Sequence, residues 1–227
     1  MPRLARTVAI DYPHHITQRG NNQQDVFFVK DDWRVYLKLL KEQCDKYGME
    51  INAYCLMRNH VHLIGIPHNE NSLAKAIGGT HFQYTQYINR MHKRSGHLWQ
   101  GRFYSCALDE KGFWLAAKYI ELNPVHAKIC RLPWQYEWSS AASHVDSTAA
   151  SKLLNLAGWY KMISDSEWRK ELTDGIDEKQ ISVIRSNTHV GRPIGTDSFI
   201  SKLENMLGRR IRPLPVGRPY KNVNIDK

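Results

Sequence analysis

The chain alternates between short segments of period-two character and longer stretches in which apolar residues recur at helical spacing. His14-His-Ile-Thr-Gln-Arg19 alternates and stops at Gly20-Asn-Asn22, which predicts a strand closed by a turn. Val35, Leu39, Leu40, Cys44 and Tyr47 then follow a helical period, with Asp31 or Asp32 placed to cap the helix and Gly48 to stop it. Glu50–Met57 and His60–Ile66, joined by Arg58-Asn59 and closed by Pro67, predict a hairpin. A second helix opens at Asn71-Ser72, carries Leu73, Ile77, Phe82, Tyr84, Tyr87 and Ile88, and runs out in Arg90-Met-His-Lys-Arg94 before Gly96. Phe103–Leu108 predicts another strand and Lys111–Leu122 a third helix, ended by Pro124 because the residue before proline is driven out of helical geometry. Strand, helix, hairpin, helix, strand is the split βαβ order. It predicts an α+β fold, a ferredoxin-like antiparallel sheet with helices packed on one face, followed by an extra helix.

Around Asp146-Ser-Thr-Ala-Ala-Ser151 the composition turns small and polar. This predicts a boundary between a domain of residues 1–145 and a small, mainly helical, basic extension of residues 146–227. Short helices are expected at 153–162 and 167–172, and another at 199–207 with Leu203 and Leu207 on one face. Val190-Gly-Arg-Pro-Ile194 returns as Val216-Gly-Arg-Pro-Tyr220, an echo too short for a structural repeat.

Charge narrows the choice of partner. A formal net charge of +10 over 227 residues points to a polyanion, nucleic acid first. The 11 tyrosines and 7 tryptophans supply rings that can stack on unpaired bases, although most should be core. Cys44, Cys55, Cys106 and Cys130 show no CxxC spacing and read as reduced, packed thiols, not as a disulfide framework or zinc cluster. No run approaches membrane-spanning length, and the opening MPRLARTVAIDYPHHITQRG lacks the apolar stretch of a secretory signal. The expected location is cytoplasmic, associated with the nucleoid.

Two local patterns carry chemistry. In RNHVHLIGIP, His60 and His62 project from one side of a strand while Val61 faces the other. Two imidazoles suit a metal that takes further ligands from elsewhere; a hydrogen-bonded pair of strand histidines is the plain alternative. In KYIELNP, Tyr119 and Asn123 lie one helical turn apart on the same face, presenting a phenol beside an amide. A core tyrosine and a helix-ending asparagine would look the same.

Four blocks in order, HHITQRGNN, RNHVHLI, HLWQGRFY and KYIELNPVHA, together resemble the single-tyrosine HUH transposases, and within them the REP-associated tyrosine transposases, over about residues 9 to 140. The resemblance implies a ferredoxin-like nuclease domain with the histidines on a strand and the tyrosine on a helix. It implies Tyr119 as nucleophile, His60 and His62 as metal ligands and Asn123 as third ligand, where insertion-sequence relatives commonly carry glutamine. Tyr84, Tyr87 and Tyr104 are rival phenols that fit the family's tyrosine block less well. Two imidazoles and one oxygen, with no thiolate, favour Mg²⁺ or Mn²⁺ over structural zinc. The implied activity is cleavage and rejoining of single-stranded DNA bearing REP-like hairpins through a covalent 5′-phosphotyrosine, without ATP.

Trp99, Gln100, Arg102 and Phe103 would suit such DNA, with Arg3, Arg6, Gln18 and Arg19 as a second candidate surface. The two Gly-Arg-Pro tripeptides resemble minor-groove hooks, and Arg192 and Arg218, with Arg209, Arg210, Arg212 and Lys221, supply charge either for that role or for a nonspecific basic tail. A non-catalytic hairpin-binding protein on the same scaffold, and a zinc hydrolase using the two histidines, are the competing readings. A monomer is favoured.

Overall fold

The computed structural model describes residues 7–149 and 151–213. Strand β1 (His14–Arg19) leads into α1 (Lys30–Tyr47), the hairpin β2 (Met49–Met57) and β3 (His60–Pro67), α2 (Ser72–Met91) and β4 (Tyr104–Ala107). All strand pairs are antiparallel, in the order β2-β3-β1-β4, the topology that the split βαβ order predicts. At the start of α1, Asp32 accepts hydrogen bonds from the backbone of Phe28 (2.7 Å) and Val29 (3.0 Å), and Gly48 ends the helix at φ +64°, where a side chain would be strained.

The two helices of the split unit share one face of the sheet, as expected. Ile16, Leu56, Val61 and Leu63 point into that layer and pack against Tyr36, Leu40, Ile77 and Tyr84. The extra helix α3 (Glu110–His126) covers the opposite face, so helices flank the sheet on both sides. A bulge in β2 between Ile51 and Ala53 helps build both layers. Because one extra residue reverses strand parity, Ile51 faces α1 and α2 while Ala53, Cys55 and Met57 face α3.

Pro124 does not end α3, contrary to the sequence expectation. The helix continues to His126, and the Asn123 side-chain amide donates to the carbonyls of Tyr119 (2.8 Å) and Ile120 (3.4 Å). Ile120 is the carbonyl that Pro124 has no N–H to satisfy. The asparagine thereby repairs the ladder that the proline breaks.

After α3 come α4 (Ala141–His144), α5 (Leu156–Tyr160), α6 (Asp165–Asp174), α7 (Glu178–Val190) and α8 (Asp197–Leu207). The composition shift at 146 marks a surface loop and not a break in the core. A single apolar cluster joins Ile64, Cys106 and Ile120 to Trp159, Trp168, Ile181 and Ile184. Beneath it, the fully buried Glu121 of α3 accepts from His144 Nδ1 (2.6 Å), Trp168 Nε1 (2.8 Å) and the Ser140 hydroxyl, tying α4 and α6 to the tyrosine-bearing helix. Cys44, Cys55 and Cys106 are buried and Cys130 half-buried, all as thiols. Among the described residues no helix is long and apolar enough to cross a membrane.

Candidate active site

Cross-strand register builds the site. β1 pairs with β3 so that Thr17 lies opposite His62 and Arg19 opposite His60, and with β4 so that His15 lies opposite Cys106 and Thr17 opposite Tyr104. Directly opposed residues share a face, so His15, Arg19, His60, His62 and Tyr104 all stand on the side covered by α3. They line a cavity of about 690 Å³ together with Tyr119 and Asn123.

Within it the Tyr119 ring meets His62 edge-on at 5.4 Å between centroids and His15 at 6.0 Å. His60 and His62 are 5.0 Å apart and nearly perpendicular. Each imidazole has its Nδ1 engaged: His60 with Asn59 Oδ1 at 2.6 Å, His62 with His15 Nε2 at 3.0 Å. The His60 Nδ1–H donates to the amide oxygen, which leaves its Nε2 a bare lone pair. The His62 Nε2 is equally bare when its Nδ1–H is the donor toward His15, the arrangement found where a second partner orients a metal-bound histidine. The Asn123 nitrogen is committed to the helix carbonyls, which leaves its oxygen for the cavity. Among the described residues no group of three His, Cys, Asp or Glu side chains is arranged to hold a metal. His60, His62 and Asn123 would offer a divalent ion two imidazole nitrogens and one amide oxygen.

Burial first, then the positive charges of Arg19 and Arg185, lowers the His60 pKa to about 4. Burial likewise leads the causes that hold His62 well below the ordinary range, followed by His60, His15 and both arginines. Neutral imidazoles are what a metal requires.

α7 completes the site, and the sequence reading missed it. From this helix Arg185 Nε donates to the Tyr119 hydroxyl at 3.3 Å, Thr188 Oγ1 lies 2.7 Å from His15 Nδ1, and His189 stacks on Tyr104 at 4.9 Å. The signals that mark α7 are its ends: Asp177 accepts from Gln180 N (2.8 Å) in a capping box, and Gly191 closes the helix at φ +76°.

The predicted DNA contacts divide sharply. Arg19 and Gln100 are exposed and line the cavity, and Arg102 is exposed nearby in sequence. Gln18 is not a surface residue: it faces away from Arg19, is buried, and donates to Gly101 O at 2.6 Å, bracing the WQGR loop. Trp99 is not a stacking platform either. It is 7% exposed and packs on His81 at 4.5 Å among Tyr36 and Tyr84. Phe103, too, is buried. The first Gly-Arg-Pro is a helix cap stitched to β4, with Arg192 N donating to Asn187 O and Ile194 N to Ala107 O, not an extended hook. Arg209 is half-buried near Thr7 and Arg210 is exposed, reaching Pro213 O. Arg3, Arg6, Arg218 and Lys221 lie outside the described residues. Of the rival phenols, Tyr84 belongs to the α1 and α2 layer and Tyr87 packs against it, whereas Tyr104 lines the cavity.

The family profile described as "Transposase IS200 like" matches residues 9–123. A Haemophilus influenzae protein named "Putative REP-associated tyrosine transposase" is 30% identical over 96 residues, covering 37% of this chain and 54% of that protein. The match thus spans about half the length of that relative. A solved structure of a REP-associated tyrosine transposase bound to a REP hairpin aligns with a TM-score of 0.57 at 17% identity, covering 68% of this chain and 94% of that one. The fold is shared. Arg185 and Thr188 lie beyond the residues that the family profile matches.

Proposed function

Because the chain belongs to the family of IS200-like transposases, we propose that it cleaves and rejoins single-stranded, hairpin-forming DNA through a covalent 5′-phosphotyrosine on Tyr119. The observation that carries this reading is the convergence of the Tyr119 phenol, the His60 and His62 imidazoles and the Asn123 amide on one cavity wall.

The phenol oxygen attacks the scissile phosphorus, an O–P bond forms to Tyr119, and the bond to the 3′-oxygen breaks. The phenolic proton leaves to water through the open cavity, and the departing 3′-oxygen takes up a proton to become a hydroxyl. Since a phosphodiester is exchanged for a phosphodiester, attack by a 3′-hydroxyl on the adduct reseals the strand without an external energy source. A Mg²⁺ or Mn²⁺ ion held by His60, His62 and Asn123 would withdraw charge from the phosphate. Arg185, whose Nε donates to the phenol oxygen, orients the nucleophile and can pair with a phosphate oxygen. Arg19 at the rim adds positive charge along the path of the strand. The scissile nucleotide must be unpaired to enter a cavity of this size.

The test is incubation of the protein with Mn²⁺ and an end-labelled single strand carrying a hairpin, followed by denaturing electrophoresis. A covalent protein–DNA band that disappears in Tyr119→Phe is the expected result. A band that survives Tyr119→Phe and vanishes in Tyr104→Phe would move the nucleophile to β4. Hairpin binding with no adduct under either ion would support a binder instead.

A further inference from the structure

Three hydrogen bonds run in series from the cavity into α7. His62 Nδ1 meets His15 Nε2 at 3.0 Å, His15 Nδ1 meets Thr188 Oγ1 at 2.7 Å, and Thr188 Oγ1 meets Cys106 Sγ at 3.2 Å. His15, Thr188 and Cys106 are buried and His62 nearly so, and the His15 and His62 rings are almost parallel, 10° apart. A neutral imidazole carries one proton. The series can therefore point in only two directions, and they leave opposite groups at the cavity.

In one direction His62 Nδ1–H donates to His15, His15 Nδ1–H donates to Thr188, and the threonine hydroxyl donates to the sulfur. His62 Nε2 is then a bare lone pair. In the other, the threonine hydroxyl donates to His15, His15 Nε2–H donates to His62, and the cavity meets an Nε2–H that can hold no cation. We propose that His15 and Thr188 are positioning residues that fix the tautomer of His62, so that α7 controls the ion-binding competence of the site. This rests on the reading of His62 as a metal ligand.

Thr188 makes the first direction available, because only an acceptor at this position lets His15 keep its proton on Nδ1. Replaced by valine, it would leave a buried N–H without a partner, a group that proteins tolerate less well than an unpaired acceptor. The proton of His15 then moves to Nε2 and the whole series reverses. The conservative Thr188→Ser keeps the acceptor. A glutamine at position 15 can accept from His62 directly with its amide oxygen, which removes the need for Thr188.

The experiment compares wild type, Thr188→Val, Thr188→Ser, His15→Gln and the double variant, each first checked for cooperative melting. Long-range ¹⁵N–¹H spectra of histidine-labelled protein without metal read the tautomer of His62, and Mn²⁺ titration followed by electron paramagnetic resonance reads affinity. The expected result is Nε2 bare in wild type and Thr188→Ser, Nε2 protonated in Thr188→Val, and Mn²⁺ affinity about 10-fold weaker in the valine variant alone. Valine should have no further effect once position 15 is glutamine. An unchanged His62 tautomer in Thr188→Val, or an equal loss of affinity in the double variant, overturns the relay. Should Thr188→Val fail to fold, Thr188→Ala removes the same acceptor with a smaller, helix-compatible side chain and must likewise show His62 Nε2 protonated; a bare Nε2 there overturns the relay. If wild type shows the bare Nε2 yet binds no Mn²⁺, the relay stands and the metal-ligand reading fails.

Discussion

The two faces of the sheet use the same residue types to opposite ends. On the α1 and α2 side, the buried His81 joins Tyr36 (Nε2 to hydroxyl, 3.0 Å) and packs against Trp99, while Tyr84 donates to Val26 O at 2.7 Å. On the α3 and α7 side, His62 is comparably buried, but its Nε2 has no partner among the described residues, and Tyr119 turns its hydroxyl toward Arg185 at a cavity. Burial pushes the pKa of His81 down to about 3 and that of His62 well down, so a displaced titration does not separate them. What separates them is whether packing closes off the polar atom. A buried imidazole or phenol becomes a candidate for chemistry when the fold leaves one of its atoms facing space.

The largest expected difference between the faces is in the two tyrosines. Tyr119→Phe should reduce covalent adduct by at least ~10³-fold with little change in melting temperature. Tyr84→Phe should keep the adduct and cost about 1–2 kcal/mol, because it strands the Val26 carbonyl. Quantified gel bands and denaturant melts on the same preparations decide it. If the two variants behaved alike, the contrast between the faces would be lost.

Arg185 tests whether α7 belongs to the reacting side. Arg185→Ala should slow single-turnover adduct formation by ~10²-fold while leaving Mn²⁺ affinity at or above that of wild type, since a cation near the imidazoles is removed. Arg185→Lys should recover part of the rate, keeping charge without the planar fork. An unaltered rate in the alanine variant would remove Arg185 from the reacting side and leave α7 only its contact through Thr188.

Stability on the α3 side should depend on Glu121. Alanine at this position leaves the buried Ser140, His144 and Trp168 donors without their shared acceptor, a loss of about 3 kcal/mol or more in urea denaturation. Because Trp168 and His144 lie beyond the matched family residues, a smaller loss would mean that the C-terminal helices dock by apolar contact alone.

How much of this was legible in the chain depends on whether local geometry decided it. His60 and His62 on one strand face, and Tyr119 and Asn123 on one helix face, follow from periods of two and 3.6, and their meeting follows from the order of elements. Gln18 was misread although parity already separated it from Arg19. Trp99 could be read either way from the chain, because a ring suited to stacking on bases is equally suited to a core, and the tertiary packing of Tyr36, His81 and Tyr84 chooses the core. α7 escaped because Ile181, Val183, Ile184, Thr188 and Val190 are β-branched, weak helix formers, and its buried face ends in a threonine whose hydroxyl is used by His15. The bulge at Asn52 has no local signature, yet it decides which side of the sheet receives Cys55 and Met57.

The subtlest effect at pH 7 is the one that reads each face separately through protons. His81 titrates near 6.5 in the unfolded chain and near 3 when folded. Between those values the unfolded state binds the extra proton, so stability falls as pH is lowered from about 6.5 toward 3, at up to about 1.4 kcal/mol per pH unit for this group. His81→Gln removes that proton while keeping an amide beside the Tyr36 hydroxyl, and should flatten the slope of unfolding free energy against pH by up to one proton, measured by urea melts from pH 7 to pH 4. Mn²⁺ acts on the other face. It should raise the melting temperature of wild type and His81→Gln equally at pH 7, because binding to the folded state alone stabilises by mass action, and should lose that effect in acid as its imidazole ligands take up protons. If His81→Gln changed the Mn²⁺ shift at pH 7, the two layers would be coupled through the sheet, and the division between a closed face and an open one would have to be redrawn around β1 and β3, the strands they share.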